Sequence, residues 1–346
     1  MTDAIQPTNP LLEPNWDALV ANNPEHSFFH STAWAKVLAE TYGYTPEYFV
    51  ARKAGKIDSL LPLMEVDSWL TGRRGIALPF TDDCEPLCPD VNLFKKLFQD
   101  AIDFGRSRGW KHLECRGGRK FFEEITPSLS FYGHSLDLVL SKEQLFGRLE
   151  SSARCAIRKA EKDGVKVEIS QSLEAVNFFY LLQCKTRKKH GLPPQPFLFF
   201  LNIHKHVLSQ NLGMVVLARW RETPIAGAIC FHLGGRAIYK YGASDEKFQH
   251  LRGSNLVMWE AVKWYLQKGV KKLHLGRTSV ANEGLRRFKL GRGAGEEKIE
   301  YFKYDLRTNN FVTDTDEAFG WHNQVFQRLP LFVSRMAGNV LYKHWA

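Results

Sequence analysis

RAIYKYGASDEKFQHLRGSNLVMWEAVKWYLQKGVKKLHLGRTSVANEGLRRFKLGRGAG, residues 236–295, is the stretch whose reading decides the fold. Arg236 to Tyr241 is a β-rich run that Gly242 breaks. A polar loop follows, and Ser254 stands where an N-cap would, ahead of Leu256, Val257, Ala261, Val262, Trp264 and Tyr265 at helical spacing. Gly269 falls where that helix would stop, and Val270 to Leu275 reads as a second strand. Residues 276–292 then read as a loop crowded with polar and basic side chains. Strand, loop, helix, strand and basic loop make a unit suited to an anionic ligand, because helix starts present amides and a positive dipole end.

Working outward, 346 residues suit two domains better than one core, and 44% apolar with 24% charged residues means a globular chain. The net charge of +10 is uneven: residues 1–150 hold 16 Lys+Arg against 21 Asp+Glu (net −5), and residues 151–346 hold 31 against 16 (net +15). The second half therefore suits polyanions such as phosphates, nucleic acid or a membrane surface, the competing reading being solvated Lys-rich helix faces. Six scattered cysteines, of which only Cys84 and Cys88 are close, read as reduced thiols with no metal set. The N-terminus lacks the basic and apolar regions of a signal peptide, and no apolar run reaches membrane-spanning length. The expected location is cytoplasmic, peripheral to the inner face of the membrane if the tail makes contact there.

Before residue 150 the expected elements are a helix over 28–42, a hairpin of Tyr48–Lys53 with Ile57–Val66, and a strand Ile76–Phe80 ending in an acidic loop. A helix over 92–107 and strands Lys111–Cys115 and Phe131–Leu140 follow. The second half opens with a basic helix over 141–163 and strand Val165–Ile169. Helices over 172–190 and 197–210 come next, then paired strands Met214–Arg221 and Ile225–Leu233, and a last strand Lys298–Asp305 after the opening stretch. Similar element order in the two halves points to one fold used twice. The tail, 316–346, reads as helical with apolar and basic residues interleaved, docking on its own protein or on a membrane.

The phrases HSTAWAKVL, RKAEKDGVKVE, TRKKHGLPPQP, YKYGAS and GRTSVANEGLRRFKLG together resemble the FemAB-like N-acyltransferases. The resemblance spans about residues 25–310 and is most specific at Gly276–Gly291. It implies an α+β fold of two tandem GCN5-type acyltransferase-like domains, each a mixed, mostly antiparallel sheet flanked by helices. The expected boundaries are 1–145, 146–312 and a helical tail over 313–346. It also implies transfer of an acyl or aminoacyl group to an amine of a cell-envelope precursor, peptidoglycan or polysaccharide. The donor would be acyl-CoA, acyl-carrier protein or aminoacyl-tRNA, with no cofactor tightly bound. Two departures stand out. The helical-hairpin arm of the tRNA-dependent members is missing, and the loop Gln249-His250-Leu251-Arg252-Gly253-Ser254-Asn255 has one glycine where GCN5-type enzymes have two.

Acyl transfer needs an unprotonated amine, a polarised carbonyl and an anchor for the donor's phosphates. No Gly-x-Ser-x-Gly elbow is present, and His204-Lys205-His206 lacks further ligands, so direct amine attack is expected without a metal. Arg277, Arg286 and Lys289 are the expected phosphate anchors, with Ser279, Asn282 and Asn255 as hydrogen-bond partners; the alternative is a solvent loop. Tyr239 and Tyr241 alternate and should share one face, making Tyr241 a donor to the tetrahedral oxyanion or, alternatively, a core aromatic. Arg187 and His190 end a basic helix and would clamp an acidic acceptor. Asp82 and Asp83 would bind or deprotonate the acceptor amine, and Lys36 would touch a phosphate. The second function class is a non-catalytic binder of nucleic acid or anionic envelope lipid through the basic half.

Overall fold

The computed structural model describes residues 5–314 and 321–345. Contacts divide the chain into two compact units: Met1–Phe131, Lys298–Glu317 and Tyr342–Ala346 in unit 1, and Tyr132–Glu297 and Ala318–Leu341 in unit 2. Each has the mixed, mostly antiparallel sheet and flanking helices expected of a tandem α+β chain.

In unit 2, strands Lys166–Ser170, Gly213–Trp220, Thr223–Leu233 and Arg236–Ser244 run antiparallel in the order first, second, third, fourth. Lys272–Ser279 lies parallel beside Arg236–Ser244. Alternation along the central strands sends Met214, Val216, Ala218, Ala228 and Cys230 to one face. There they meet Leu256, Val257, Ala261 and Tyr265 of helix Gly253–Gln267 and Ala153, Ile157 and Ala160 of helix Ser151–Lys162. The other face carries helices Leu173–Lys189 and Phe197–His206, whose Phe179, Phe199 and Phe200 are fully buried.

In unit 1, Tyr48–Lys53 pairs with Lys56–Leu61 and with Gln6–Thr8. A second set places Met64–Val66, Arg74–Ile76 and His112–Arg116 side by side, the last pair parallel. Helix Val91–Ser107 starts where the Asp90 carboxylate accepts from the Leu93 amide, and it buries Phe94, Leu97 and Ala101.

Several expected bounds shift for local reasons. The strand from Ile76 ends at once because Leu78 and Phe80 take left-handed backbone, φ 48° and 63°. The expected helix over 141–163 is two helices, Lys142–Arg148 and Ser151–Lys162. Leu149 and Glu150 are extended between them, and the Glu150 amide donates to the Gly291 carbonyl. The expected loop over 276–292 is no loop. The strand continues to Ser279, and Glu283–Leu290 is a helix capped by the Asn282 side chain, which accepts from the Leu285 amide at 3.0 Å.

The tail helices are Trp321–Arg328 and Leu331–Leu341. The second packs on Leu173–Lys189, burying Ser334 and Gly338. Residues 316–320 and 346 of the expected tail lie outside the described residues. Among the described residues no helix is long and apolar enough to cross a membrane.

Candidate active site

Two parallel strands of unit 2 pair over only part of their length. Arg236, Ala237 and Ile238 pair with Lys272, Leu273 and His274, and the strands then run on, to Ser244 and Ser279, beyond that pairing. A bulge at Lys240 helps turn the first strand away: Cys230 opposes Tyr239 and Ile229 opposes Tyr241, leaving Lys240 extra.

Helix Gly253–Gln267 begins at the end of the Arg236–Ser244 strand. Gly253 lets it come close to the neighbouring strand, since a Cβ there would lie 3.1 Å from Ile225 and 3.2 Å from Ala226. Arg252 precedes it in left-handed conformation, φ 58°, and no side chain caps the helix start. A cleft of about 270 Å³ opens there, lined by Ser244, Asp245, Gln249, Arg252, Ser254 and Asn255 among others. A second opening shares Arg252 and Asn255 and adds Ser152, Lys159, Phe288 and Arg292.

Arg292 is the charge at the centre of this region. It is buried, donates to the Asn255 side-chain oxygen and lies 3.6 Å above the Phe288 ring. Burial pulls its pKa down to about 10, with Tyr239 and Glu150 acting in the opposite sense. It stays cationic at neutral pH, in surroundings that desolvate it and so strengthen its hold on an anion. Asp245 does not cancel this charge, because its carboxylate is occupied by Lys185 at 2.6 Å.

The other expected site residues of unit 2 lie nearby in sequence but have structural partners. Lys289 is buried and donates to the Gly276 and Arg277 carbonyls at 2.7 and 3.1 Å. Arg286 forms a two-pronged pair with Glu296, both contacts 2.7 Å. The same carboxylate meets His134 Nε2 at 3.0 Å. Burial, and then Lys289, lower the His134 pKa. Arg277 and Ser279 are half-buried on the strand, and Asn282 caps the helix.

Tyr239 and Tyr241 do not share a face. Tyr239 packs with the Met214–Tyr265 cluster, and its ring would lie 3.1 Å from a Cβ at Gly242. Tyr241 sits against Phe199, Phe200 and Phe231, with ring centroids 5.9–6.3 Å apart. The bulge at Lys240 breaks the alternation on which the expectation rested. Burial, and then Cys230, push the Tyr239 phenol well above its ordinary pKa, Arg292 opposing, so it remains a proton donor.

Arg187 donates to the Pro193 carbonyl at 3.3 Å, and the His190 carbonyl accepts from Asn323 of the tail at 3.3 Å. Burial followed by Arg187 and Lys189 lowers the His190 pKa. In unit 1, Lys36 is exposed on helix Thr32–Tyr42. Asp82 is buried and its carbonyl accepts from the Tyr301 hydroxyl at 2.7 Å. Asp83 is half-buried, its carboxylate packed against Gly117. The buried Cys84 thiol is pushed well up by burial and then Asp83.

The family model for the acetyltransferase (GNAT) domain matches residues 148–303, just under half of the chain. Among solved structures, FemX superposes with a TM-score of 0.71 at 15% identity, over 89% of this chain and 98% of FemX. The fold is FemAB-like. The same fold appears in a tandem GNAT protein from the clavulanic acid biosynthesis pathway, TM-score 0.55 at 9% identity over 88% of this chain and 99% of that one. L-PGS from Bacillus licheniformis also has it, TM-score 0.54 at 12% identity over 98% and 99%. No curated protein matches the sequence. The GNAT match contains the two parallel strands, the Gly253–Gln267 helix start and Arg292.

Sequence reading missed Arg252 and Arg292. A signal for Arg252 was present in its place directly before the single glycine of the loop. Arg292 lies past the residues that looked most specific, and nothing local distinguishes it from its neighbours.

Proposed function

We propose that the chain is an N-acyltransferase whose donor lies in unit 2. The observation that carries this reading is the cationic opening at the head of the Gly253–Gln267 helix that Arg252, Asn255 and Arg292 line together. Acyl-CoA, acyl-carrier protein and aminoacyl-tRNA all carry a phosphate group joined to an activated acyl carbonyl, through a pantetheine arm in the first two and through the terminal ribose in the third. Arg252 and Arg292 would hold the phosphate, aided by the helix start, with Asn255 orienting Arg292. The edge of Arg236–Ser244, beyond its pairing with Lys272–Ser279, would align the acyl arm through backbone hydrogen bonds.

The acceptor is an amine of a cell-envelope precursor, as the FemAB-like resemblance implies. Its nitrogen lone pair attacks the carbonyl, a C–N bond forms and the C–S or C–O bond of the donor breaks. The amine's proton passes to the departing thiol or hydroxyl. We assign the hydrogen bond to the developing oxyanion to Tyr239, since Tyr241 lies among the aromatics of the other face. Arg277 and Ser279 remain candidates for acceptor contacts at the strand end, as do Asp82, Asp83 and Lys36 in unit 1. The basic half has an enzyme-domain match over most of its length, which weighs against a purely nucleic-acid-binding role.

The test supplies the intact protein with labelled acetyl-CoA, acyl-carrier protein and charged tRNA in turn, with amine acceptors. One donor should transfer label, and Arg252→Ala should weaken its binding. If no donor binds or transfers, the reading fails.

A further inference from the structure

The tail helix Leu331–Leu341 is turned inside out. Its face towards the protein holds Ser334 and Gly338, where a Cβ on Gly338 would lie 2.0 Å from the Pro194 carbonyl oxygen. Its outer face holds Phe332, Met336 and Val340, spaced four apart and therefore one ridge, exposed by 65%, 64% and 61%. Docking alone would place the large apolar residues inward.

The sequence from 321 to 345 contains no Asp or Glu, but it contains Arg328, Arg335 and Lys343. Arg335 leans over the Tyr180 ring at 5.3 Å, whereas Arg328 and Lys343 are exposed. Val325 on the preceding helix is exposed as well.

We propose that this tail is a docking surface for an anionic lipid bilayer, with the Phe332–Met336–Val340 ridge entering the headgroup–acyl boundary and Arg328 meeting lipid phosphates. A ridge three side chains long is far short of the roughly 800 Å² that a stable protein partner covers on each side. A bilayer needs no shape complement, and it favours a cationic segment free of carboxylates. The inference goes beyond the acyl-transfer reading and does not depend on it.

Sedimentation with vesicles tests it on the intact protein. It should bind vesicles containing phosphatidylglycerol, bind pure phosphatidylcholine much more weakly, and be released by salt. Replacing Phe332, Met336 and Val340 together by Ser should reduce binding by tenfold or more, with the melting temperature unchanged because those side chains face outward. Arg328→Gln should reduce it by about fivefold, the equivalent of roughly 1 kcal/mol per charge. Phe332→Trp gives a second readout that requires no loss of function: its emission should shift to the blue on anionic vesicles. The proposal is overturned if the wild type stays in the supernatant with anionic vesicles. It is equally overturned if the triple replacement abolishes self-association in analytical ultracentrifugation while vesicle binding persists.

Discussion

The two units repeat one motif and finish it in opposite ways. Each has a pair of parallel strands joined through a helix: Arg74–Ile76 with His112–Arg116 around Val91–Ser107 in unit 1, and Arg236–Ser244 with Lys272–Ser279 around Gly253–Gln267 in unit 2. In unit 1 the space beyond the pairing is filled by the chain itself. The loop after Ile76 returns so that Cys84 bridges Arg116, and Arg116 is spent on Glu114 at 2.7 Å and on the Tyr301 ring. The helix start there is closed by Asp90. In unit 2 the strands stop pairing after Ile238 and His274, a cleft opens at the helix start, and a left-handed Arg252 stands there in place of a cap. Arg116 makes a direct ion pair with a carboxylate, whereas the hydrogen bond of Arg292 goes to the neutral amide of Asn255, with Glu150 acting on it electrostatically.

The largest way to break this contrast is Glu114→Ala. It would leave Arg116 buried and uncompensated, costing about 3–5 kcal/mol in urea unfolding. A small change would mean that the pair is not what closes unit 1. Next, Arg252→Ala with Asn255→Ala should lower kcat/KM for the donor about 100-fold, or roughly 2.7 kcal/mol, while leaving the melting temperature nearly unchanged. Equal losses of activity and stability would make those residues structural, as in unit 1.

A third test uses pH. Burial, and then Lys303, depress the His112 pKa in unit 1 to about 4. The unfolded chain takes up this proton near pH 6.5 and the folded chain only near 4, so stability should be full above 6.5 and fall by about 3 kcal/mol across that window. His112→Gln should flatten that part of the profile. The smallest effect is Tyr239→Phe, expected to lower kcat about tenfold with the donor dissociation constant unchanged. If Tyr241→Phe does so instead, the face assignment is reversed.

These contrasts also explain what could be read from sequence. The Met214–Leu233 strands and the Leu256–Tyr265 helix were legible because burial repeats along them at periods of two and 3.6, which depend only on neighbours in the chain. The bulge at Lys240 was not, because it is defined by what Cys230 and Ile229 oppose across the ladder, and one extra residue sends the next tyrosine to the other face. The helix Glu283–Leu290 was hidden for a similar reason. Its polarity looked like loop, yet Asn282 caps it and Lys289 tethers it to carbonyls of the preceding strand. The site suffered most: Arg292 owes its lowered pKa to burial and its position to Asn255, 37 residues away, and neither leaves a local trace.

Unit 1 is closed by the far end of the chain. Tyr44 donates to the Lys343 carbonyl at 2.9 Å, Arg74 to the His344 carbonyl at 2.9 Å, and Ser68 pairs with the His344 ring at 2.8 Å. An early segment is therefore completed by one made much later. As the chain leaves the ribosome, unit 2 has the whole of Tyr132–Glu297 available while its partner still lacks these final hydrogen bonds. The first half of unit 1, which would usually lead in cotranslational folding, must here wait until residues 342–344 have been made, and removing them would be felt some three hundred residues upstream.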